Sequence, residues 1–319
     1  MDEFALIDRY FRRAGGSGVA LGVGDDGAVL EPPAGRNLVA VVDTLVAGVH
    51  YPDDLPAADV GFRAVAVNLS DLAAMGAEPA WMTLALTLPA ADADWLDAFA
   101  AGLFAAADEH GVALVGGDTT RGPATVVSVQ LLGHTEPGRE LRRAGARPGD
   151  LMYLSGHPGD AAAGLAAWQS GQRDGPLVGK FRRPAARVAL GQAAAGLASA
   201  AIDVSDGLAA DLGHVLAASG CAAVIDVEDL PLSDALLAAV GAERALDLAL
   251  GGGDDYELCI AVPAGAEAAF REAAAATATP VTAIGRFREG AGLQFKRGGR
   301  RFEPGVRGYR HFAAPGEPT

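Results

Sequence analysis

The sequence WLDAFAAGLFAAADEHGVALVGGD, residues 95–118, joins a helical segment to an apolar strand and a pair of glycines. Residues 95–109 predict a helix, and Gly111 is placed to end it. Residues 112–115 then predict a short strand that leads directly into Gly116-Gly117-Asp118. Ligands in α/β sheets collect where strands end. The segment therefore indicates an α/β fold that presents an aspartate at its ligand-binding edge.

The same alternation of strands and helices continues on both sides of this segment. Predicted strands are 38–43, 81–88, 124–132, 151–154, 222–227, 256–262, 281–284 and 293–295. Predicted helices are 59–77, 160–168, 185–198 and 206–219, with a loop at 171–183. The stretch 136–150 is polar, basic and rich in turn residues, which is typical of a domain junction. We therefore expect an N-terminal domain at 1–136, a C-terminal α/β domain at 148–312 and a disordered tail at 313–319.

Composition excludes several classes of function. The net charge of −15 argues against a nucleic-acid surface, which needs clustered Lys and Arg. No apolar stretch approaches the roughly 20 residues of a membrane span, and the acidic N-terminus is unlike a signal peptide. Cys221 and Cys259 have no C-x-x-C spacing and predict two small buried thiols. We expect a cytoplasmic protein that binds neither nucleic acid nor membrane.

Residues 22–27, GVGDDG, fit the dinucleotide-binding pattern G-x-G-x-x-G, and Asp43 follows at about the right distance for a ribose-binding acid. That fold requires a helix immediately after the glycines. Pro32 and Pro33 leave no room for one. Asp25 and Asp26 would also repel a pyrophosphate unless a cation lay between them. The turn is better explained by a divalent metal bound to phosphate, because glycines let the backbone approach phosphate oxygens closely and Mg²⁺ prefers hard oxygen ligands.

Glycine and aspartate recur together along the chain. Asp43 follows an apolar run, and the motifs are GGDTTRG at 116–122, DVSDG at 203–207 and GGGDDY at 251–256. Each turn taken alone is equally a solvent-facing turn, and the 203–207 motif could instead cap a helix. Asp71 equally suits a solvated helix face. Their recurrence at predicted strand ends indicates a magnesium–phosphate site.

Six motifs, in chain order, carry a resemblance to a known family. They are VGDD at 23–26, VDTLV at 42–46, NLSDLAAMG at 68–76, GGDTTRGP at 116–123, IDVSDGL at 202–208 and GGDDYEL at 252–258. Together with GYRHF at 308–312 they make the chain resemble the thiamine-monophosphate kinases over nearly its whole length. Those enzymes belong to the superfamily of aminoimidazole-ribonucleotide synthetase and selenophosphate synthetase.

The resemblance implies a two-domain aminoimidazole-ribonucleotide-synthetase-like fold of α/β (α+β) class. Its N-terminal sheet would pair with that of a second subunit in a homodimer, and ATP with several Mg²⁺ ions would lie between the domains. The implied reaction converts ATP and thiamine monophosphate to ADP and thiamine diphosphate. The resemblance also implies a role for individual residues. The metal ligands would be Asp26, Asp43, Asp71, Asp118, Asp203 and Asp206; the ATP contacts would be Gly117, Asp118, Arg143 and Ser205; the substrate contacts would be His50, Asp254 and Tyr309.

Two departures from the family pattern affect this assignment. Val41 and Val42 stand where the family often has Ser-Thr, so only a backbone carbonyl of Val42 would serve as a metal ligand. Asp254 stands where relatives often have Glu, which shortens the reach of that carboxylate to the substrate.

The implied acceptor is a phosphate monoester that is already anionic, so we expect no catalytic base and a direct in-line transfer. The alternatives are a superfamily member with a different acceptor, such as a selenophosphate or aminoimidazole-ribonucleotide synthetase-like enzyme, and a non-catalytic Mg–nucleotide-binding module. Selenophosphate synthetase has a reactive Cys or selenocysteine near its N-terminus, whereas the first cysteine here is Cys221.

Overall fold

The computed structural model describes residues 3–13 and 15–305. The chain divides into two units, one of Met1–Leu72 with Ala77–Gly138 and the other of Ala73–Gly76 with Arg139–Thr319. Tyr309 and the predicted tail lie outside the described residues. Among residues 3–13 and 15–305, no helix is both long and apolar enough to cross a bilayer.

The first unit is built on a four-stranded sheet. Its elements are α1 (Glu3–Tyr10), β1 (Val19–Leu21), β2 (Val29–Leu30), β3 (Asn37–Val46), α2 (Ala57–Ala74), β4 (Glu78–Leu88), α3 (Ala93–Glu109), β5 (Ala113–Arg121) and β6 (Val126–Thr135). The order in the sheet is β3-β6-β4-β5, in which β6 is antiparallel to both neighbours and β5 is parallel to β4. β1 and β2 form a separate antiparallel ribbon.

Two glycines let the helices of the first unit approach each other closely. A side chain at Gly61 of α2 would collide with the Phe99 carbonyl of α3, and one at Gly102 would collide with the Ala58 carbonyl. α2 is buried along most of its length, so its polar residues Asn68 and Ser70 are fully inaccessible. The first unit therefore depends on close backbone packing as well as on apolar side chains.

The second unit is a seven-stranded mixed sheet with helices. Its elements are β7 (Leu151–Ser155), α4 (Asp160–Gln169), α5 (Pro176–Arg182), α6 (Val188–Ala194), β8 (Ala200–Val204), α7 (Leu208–Ser219), β9 (Ala222–Asp226), α8 (Asp234–Val240), α9 (Ala242–Gly251), β10 (Glu257–Val262), α10 (Glu267–Ala276), β11 (Val281–Arg288), β12 (Gly292–Arg297) and β13 (Arg300–Phe302). The order is β13-β12-β9-β11-β7-β10-β8, and only the β12–β9 pair is parallel. Residues of β7, β8, α7, β9 and β10 form its main apolar core.

The predicted fold class is confirmed, and several element boundaries are wrong. The glycine pair at 116–117 lies inside β5 instead of in a turn after it, and Asp43 lies inside β3 instead of at its end. The predicted loop 171–183 contains α5, which begins with a proline and buries Leu177 and Phe181 four residues apart on one helix face. The helices α1, α8, α9 and α10 were not predicted. Both cysteines are buried and free, as predicted.

Candidate functional site

A cavity of about 610 Å³ lies in the first unit. It is lined by α1, by the loop around Gly24-Asp25-Asp26 and by β5 from Leu114 to Thr119. The structure thus brings together three of the residues selected from the sequence, namely Asp26, Gly117 and Asp118. Asp26 and Asp118 are both exposed to solvent, so their carboxylates are open to a ligand.

The loop at the cavity is shaped by Gly24 and Asp25. Gly24 has a φ of 122°, and a side chain there would collide with the guanidinium of Arg12. The backbone N–H of Asp26 donates to Asp25 Oδ1 at 2.8 Å, which closes a tight turn. Arg12, which also pairs with Asp8 at 2.7 Å, therefore provides the cavity with a cation. Arg12 is not among the residues selected from the sequence, because α1, which precedes it, was not predicted.

The two glycines of β5 have different roles. Gly117 has a φ of 154°, and a side chain there would collide with the backbone carbonyl of Leu84 on β4. A Cβ on Gly116 would meet no atom within 4 Å. Strand pairing therefore requires a glycine at position 117, whereas Gly116 lines the cavity and leaves space in it.

Asp43 and Asp118 lie on the two edge strands of the four-stranded sheet. Asp43 of β3 is opposite Val129 of β6, and Asp118 of β5 is opposite Ala85 of β4. Since β6 and β4 lie between them, the strands are about 14 Å apart at a spacing of about 4.8 Å per strand. The neighbouring Val42 is 61% exposed on β3.

The other first-unit residues chosen from the sequence lie apart from the described cavity lining. Asp71 is half-buried near the C-terminal end of α2. His50 follows β3, and its Nδ1 accepts the backbone N–H of Val46 at 3.0 Å. That contact places the ring proton of neutral His50 on Nε2. Within the part of the chain that the structure describes, no three His, Cys, Asp or Glu side chains are grouped so that they could hold a metal ion.

In the second unit, Asp211 shapes the turn after β8. Its Oδ2 accepts the backbone N–H groups of both Ser205 and Asp206, each at 3.0 Å. Burial, with a further contribution from the charge of Asp203, raises the pKa of Asp211 to about 7. The N-cap residue of α7 is Gly207, which has no side chain to cap with, so the predicted side-chain cap is absent there. Asp211 was missed because a single acid within a helix resembles a solvated residue.

A second turn, at 251–256, is bonded directly to the first. The N–H of Asp254 donates to the Ser205 carbonyl at 2.9 Å, and the N–H of Tyr256 donates to the Val204 carbonyl at 2.8 Å. A side chain at Gly253 would lie 2.5 Å from the same Ser205 carbonyl. The structure therefore places the turns that contain Ser205, Asp206 and Asp254 next to each other.

Two further acids lie behind the second turn. Asp255 is buried and accepts the N–H groups of Gly159 at 2.7 Å and Ala161 at 3.3 Å, at the start of α4. Burial raises its pKa well above the usual range. Glu257 is buried and pairs with Arg187 through two bonds of 2.6 and 2.5 Å. Asp255 thus fixes the backbone at the start of α4, and Glu257 fixes the side chain of Arg187.

Arg143 lies in the segment that precedes β7. Its side chain is exposed, and its backbone carbonyl accepts the hydroxyl of Ser219 at 3.1 Å. The hydroxyl of Ser219 also accepts the N–H groups of Gly145 and Ala146, each at 3.1 Å. The end of α7 thus fixes the backbone beside Arg143 and leaves the guanidinium free to meet an anion.

Comparison with known proteins places the chain in one family. Residues 24–135 match the N-terminal domain of AIR synthase related proteins, and residues 147–297 match the C-terminal domain. The thiamine-monophosphate kinase of Salmonella typhimurium (strain LT2) is 48% identical, with coverage of 98% of this chain and 99% of that protein. The crystal structure of thiamine-monophosphate kinase from Stenotrophomonas maltophilia K279a is 47% identical with a TM-score of 0.85, covering 92% of this chain and 96% of that one. The structure of AaThiL complexed with AMPPCP and TMP is 33% identical with a TM-score of 0.78, covering 91% and 92%. This chain therefore belongs to the thiamine-monophosphate kinase family of AIR synthase related proteins.

Proposed function

We propose that this protein transfers the γ-phosphate of ATP to thiamine monophosphate and forms ADP and thiamine diphosphate. The observation that carries the proposal is its full-length similarity to thiamine-monophosphate kinases, at 48% identity over 98% of the chain. The AaThiL structure, which contains AMPPCP and TMP, is similar over 91% of the chain. The cavity beside Gly117 and Asp118 supports the same reading, because these residues are the expected ATP contacts.

Several Mg²⁺ ions fit the residues present. The donor set consists of carboxylates, which Mg²⁺ prefers, and an anionic nucleotide beside them requires a cation. The raised pKa of Asp211 reports, besides its burial, the repulsion from Asp203 and Asp206 that such a cation would relieve. The proposed ligands are Asp26, Asp43, Asp71, Asp118, Asp203, Asp206 and the carbonyl of Val42. Bound Mg²⁺ would neutralise charge on the phosphates of both substrates.

The position of Asp43 and Asp118 at opposite sheet edges limits how they share an ion. An Mg²⁺–oxygen bond is about 2 Å long, so one ion cannot join two aspartates whose strands lie about 14 Å apart. Within one protomer, Asp43 and Asp118 would therefore hold separate ions. Leu38 and Val42, 55% and 61% exposed on β3, favour a homodimer paired through this edge strand.

The chain's own residues would position two anions for in-line attack. The acceptor phosphate is already ionised, so no side chain has to remove a proton from it. Arg12 and Arg143 would offset nucleotide charge, and Ser205 would contact the nucleotide. His50, Asp254 and Tyr309 would contact thiamine monophosphate. A carboxylate at Asp254 suits the cationic thiazolium or the amino group of the pyrimidine better than the phosphate. Use of ATP and the two free cysteines favour a cytoplasmic location.

The decisive experiment measures ADP release with and without thiamine monophosphate and identifies the product by mass spectrometry. We expect ADP release that requires thiamine monophosphate and yields thiamine diphosphate in equal amount. ADP release that requires another acceptor would indicate a different superfamily reaction, and ATP binding without turnover would indicate a non-catalytic module. Asp118→Asn should abolish transfer, whereas the exposed Asp229→Asn in the second unit serves as a control.

A further inference from the structure

Asp254 and Tyr256 have an unusual backbone conformation. Their φ values are 70° and 51°, so two residues with side chains lie in the left-handed region within one turn. This conformation is unfavourable for a residue other than glycine and persists only where the surroundings impose it. It is harder to accommodate for a bulky tyrosine than for an aspartate. The turn is therefore held in a shape that its own residues disfavour.

Hydrogen bonds to neighbouring elements impose this shape. The backbone of Asp254 and Tyr256 is bonded to the end of β8, and the carboxylate of Asp255 between them is anchored to the first turn of α4. Glu257, the next residue, is paired with Arg187 and also accepts the Ser155 hydroxyl at 2.5 Å. The backbone is thus fixed from behind on both sides of Tyr256.

This conformation directs the tyrosine ring back over its own turn. The ring is buried, at 9% exposure, and its hydroxyl donates to Asp254 Oδ1 at 3.1 Å. Asp254 itself is half-buried, so part of its surface is accessible to a ligand.

We propose that Tyr256 is a positioning residue that orients the Asp254 carboxylate toward the nitrogen-bearing rings of the acceptor. This inference rests on the proposed function, in which Asp254 contacts thiamine monophosphate. An aspartate has two side-chain torsions, and the bond from Tyr256 selects one orientation of its carboxylate before the ligand arrives. A fixed carboxylate loses less freedom on binding a cationic or amino-bearing ring than a free one.

The first test is Tyr256→Phe, which removes only the hydroxyl. A hydrogen bond to a charged group of this kind corresponds to about a tenfold change in an equilibrium constant. We expect the KM for thiamine monophosphate, and its dissociation constant measured by calorimetry with AMPPCP present, to rise about tenfold. The KM for ATP should stay within about twofold. Tyr153→Phe is the matched control, because the Tyr153 hydroxyl also donates to a carboxylate, Glu267 Oε1 at 2.8 Å, in the same unit.

The second test is a double-mutant cycle with Asp254→Asn. If Tyr256 acts through Asp254, Tyr256→Phe should have little further effect on acceptor binding once the carboxylate is gone. Additive effects of the two substitutions would overturn the inference. So would an unchanged acceptor KM, or an equal loss for both substrates accompanied by a lower melting temperature than that of Tyr153→Phe.

The proposed function and this inference fail in distinguishable ways. A wild-type protein that neither binds nor phosphorylates thiamine monophosphate refutes both. A wild-type protein that does both, beside a Tyr256→Phe variant that binds the acceptor equally well, refutes the positioning role alone.

Discussion

Replacing Asp211 by Asn should make the second unit more stable at neutral and higher pH. Asp211 is 4% exposed, and burial with the charge of Asp203 raises its pKa from 3.8 to about 7. The folded unit therefore holds this proton in a pH range where the unfolded chain has released it. The contribution of the protonated Asp211 to the free energy of unfolding is fully present below about pH 4. It declines between about pH 4 and pH 7, because the pKa of Asp211 is higher in the folded protein than in the unfolded chain. The side chain of Asn has nearly the same shape as that of Asp and is uncharged, so it mimics the protonated acid.

The size of the effect follows from the pKa difference. One pKa unit corresponds to about 1.4 kcal/mol, so the full difference is worth about 4 kcal/mol. Between pH 5 and pH 8 this contribution to the free energy of unfolding falls by about 2.5 kcal/mol, because the rest is already lost at pH 5. We expect the advantage of Asp211→Asn over the wild type to grow by about that amount between the two pH values.

Urea unfolding in EDTA, at pH 5 and pH 8, provides the measurement. Trp168 is buried in the second unit, so a background with Trp81→Phe and Trp95→Phe lets its fluorescence report that unit alone. The exposed Asp229→Asn is the control for losing one negative charge. A difference between Asp211→Asn and wild type that does not change with pH would refute the reasoning. So would a difference that is larger at pH 5.

Addition of Mg²⁺ extends the same measurement to the proposed metal site. If Asp203 and Asp206 bind an ion, its charge offsets their repulsion of Asp211 and lowers the energetic penalty of ionising that acid. The pH-dependent difference between wild type and Asp211→Asn should then shrink in Mg²⁺. An unchanged difference at saturating Mg²⁺ would show that no ion binds at this turn.

Three further predictions concern other parts of the molecule. Gly117→Ala should destabilise the first unit by about 3 kcal/mol, because the added methyl group would meet the Leu84 carbonyl. Gly116→Ala should leave the melting temperature unchanged and raise the KM for ATP. Calorimetry measures the first effect and steady-state kinetics the second. Glu257→Gln should cost about 3–5 kcal/mol in urea unfolding because it leaves Arg187 buried beside a neutral partner, while Glu243→Gln, which breaks an exposed pair with Arg297, should change little. Val42→Asp should convert the proposed dimer to a monomer, as measured by light scattering. Val49 is equally exposed but lies outside the sheet, so Val49→Asp should leave the dimer intact. A Val42→Asp protein that remains a dimer contradicts the pairing through β3.

The parts of the fold that were predictable from the sequence are those with local signals. α2 and α3 were found because their apolar residues recur with helical spacing and glycines end them. α1 carried a similar signal in Leu6, Ile7, Tyr10 and Phe11, and it was overlooked. α5 lies in a stretch predicted to be a loop, although its first residue is Pro176 and a proline at the first helical position is favourable.

The parts of the site that could not be predicted depend on contacts between distant residues. The pairing of β8 with β10 brings Val204 opposite Glu257, and only this pairing places the Ser205 and Asp254 turns together. The sequence around Asp211 and Asp255 does not distinguish these buried acids from acids exposed to solvent. Their buried positions, and the backbone N–H groups that they bind, follow from tertiary packing alone.

The recurrence of glycine beside aspartate has a different physical cause from the one that the sequence suggested. Glycine was expected to let phosphate approach the backbone. At positions 117 and 253 it instead lets one protein backbone approach another, at Leu84 and at Ser205. The adjacent aspartates, Asp118 and Asp254, are thereby held on well-fixed backbone. At Gly116 the space next to the missing side chain is open to the cavity, so a substitution there tests close approach of a ligand. Substitution at the other two should alter the direction of a carboxylate before it alters access for phosphate.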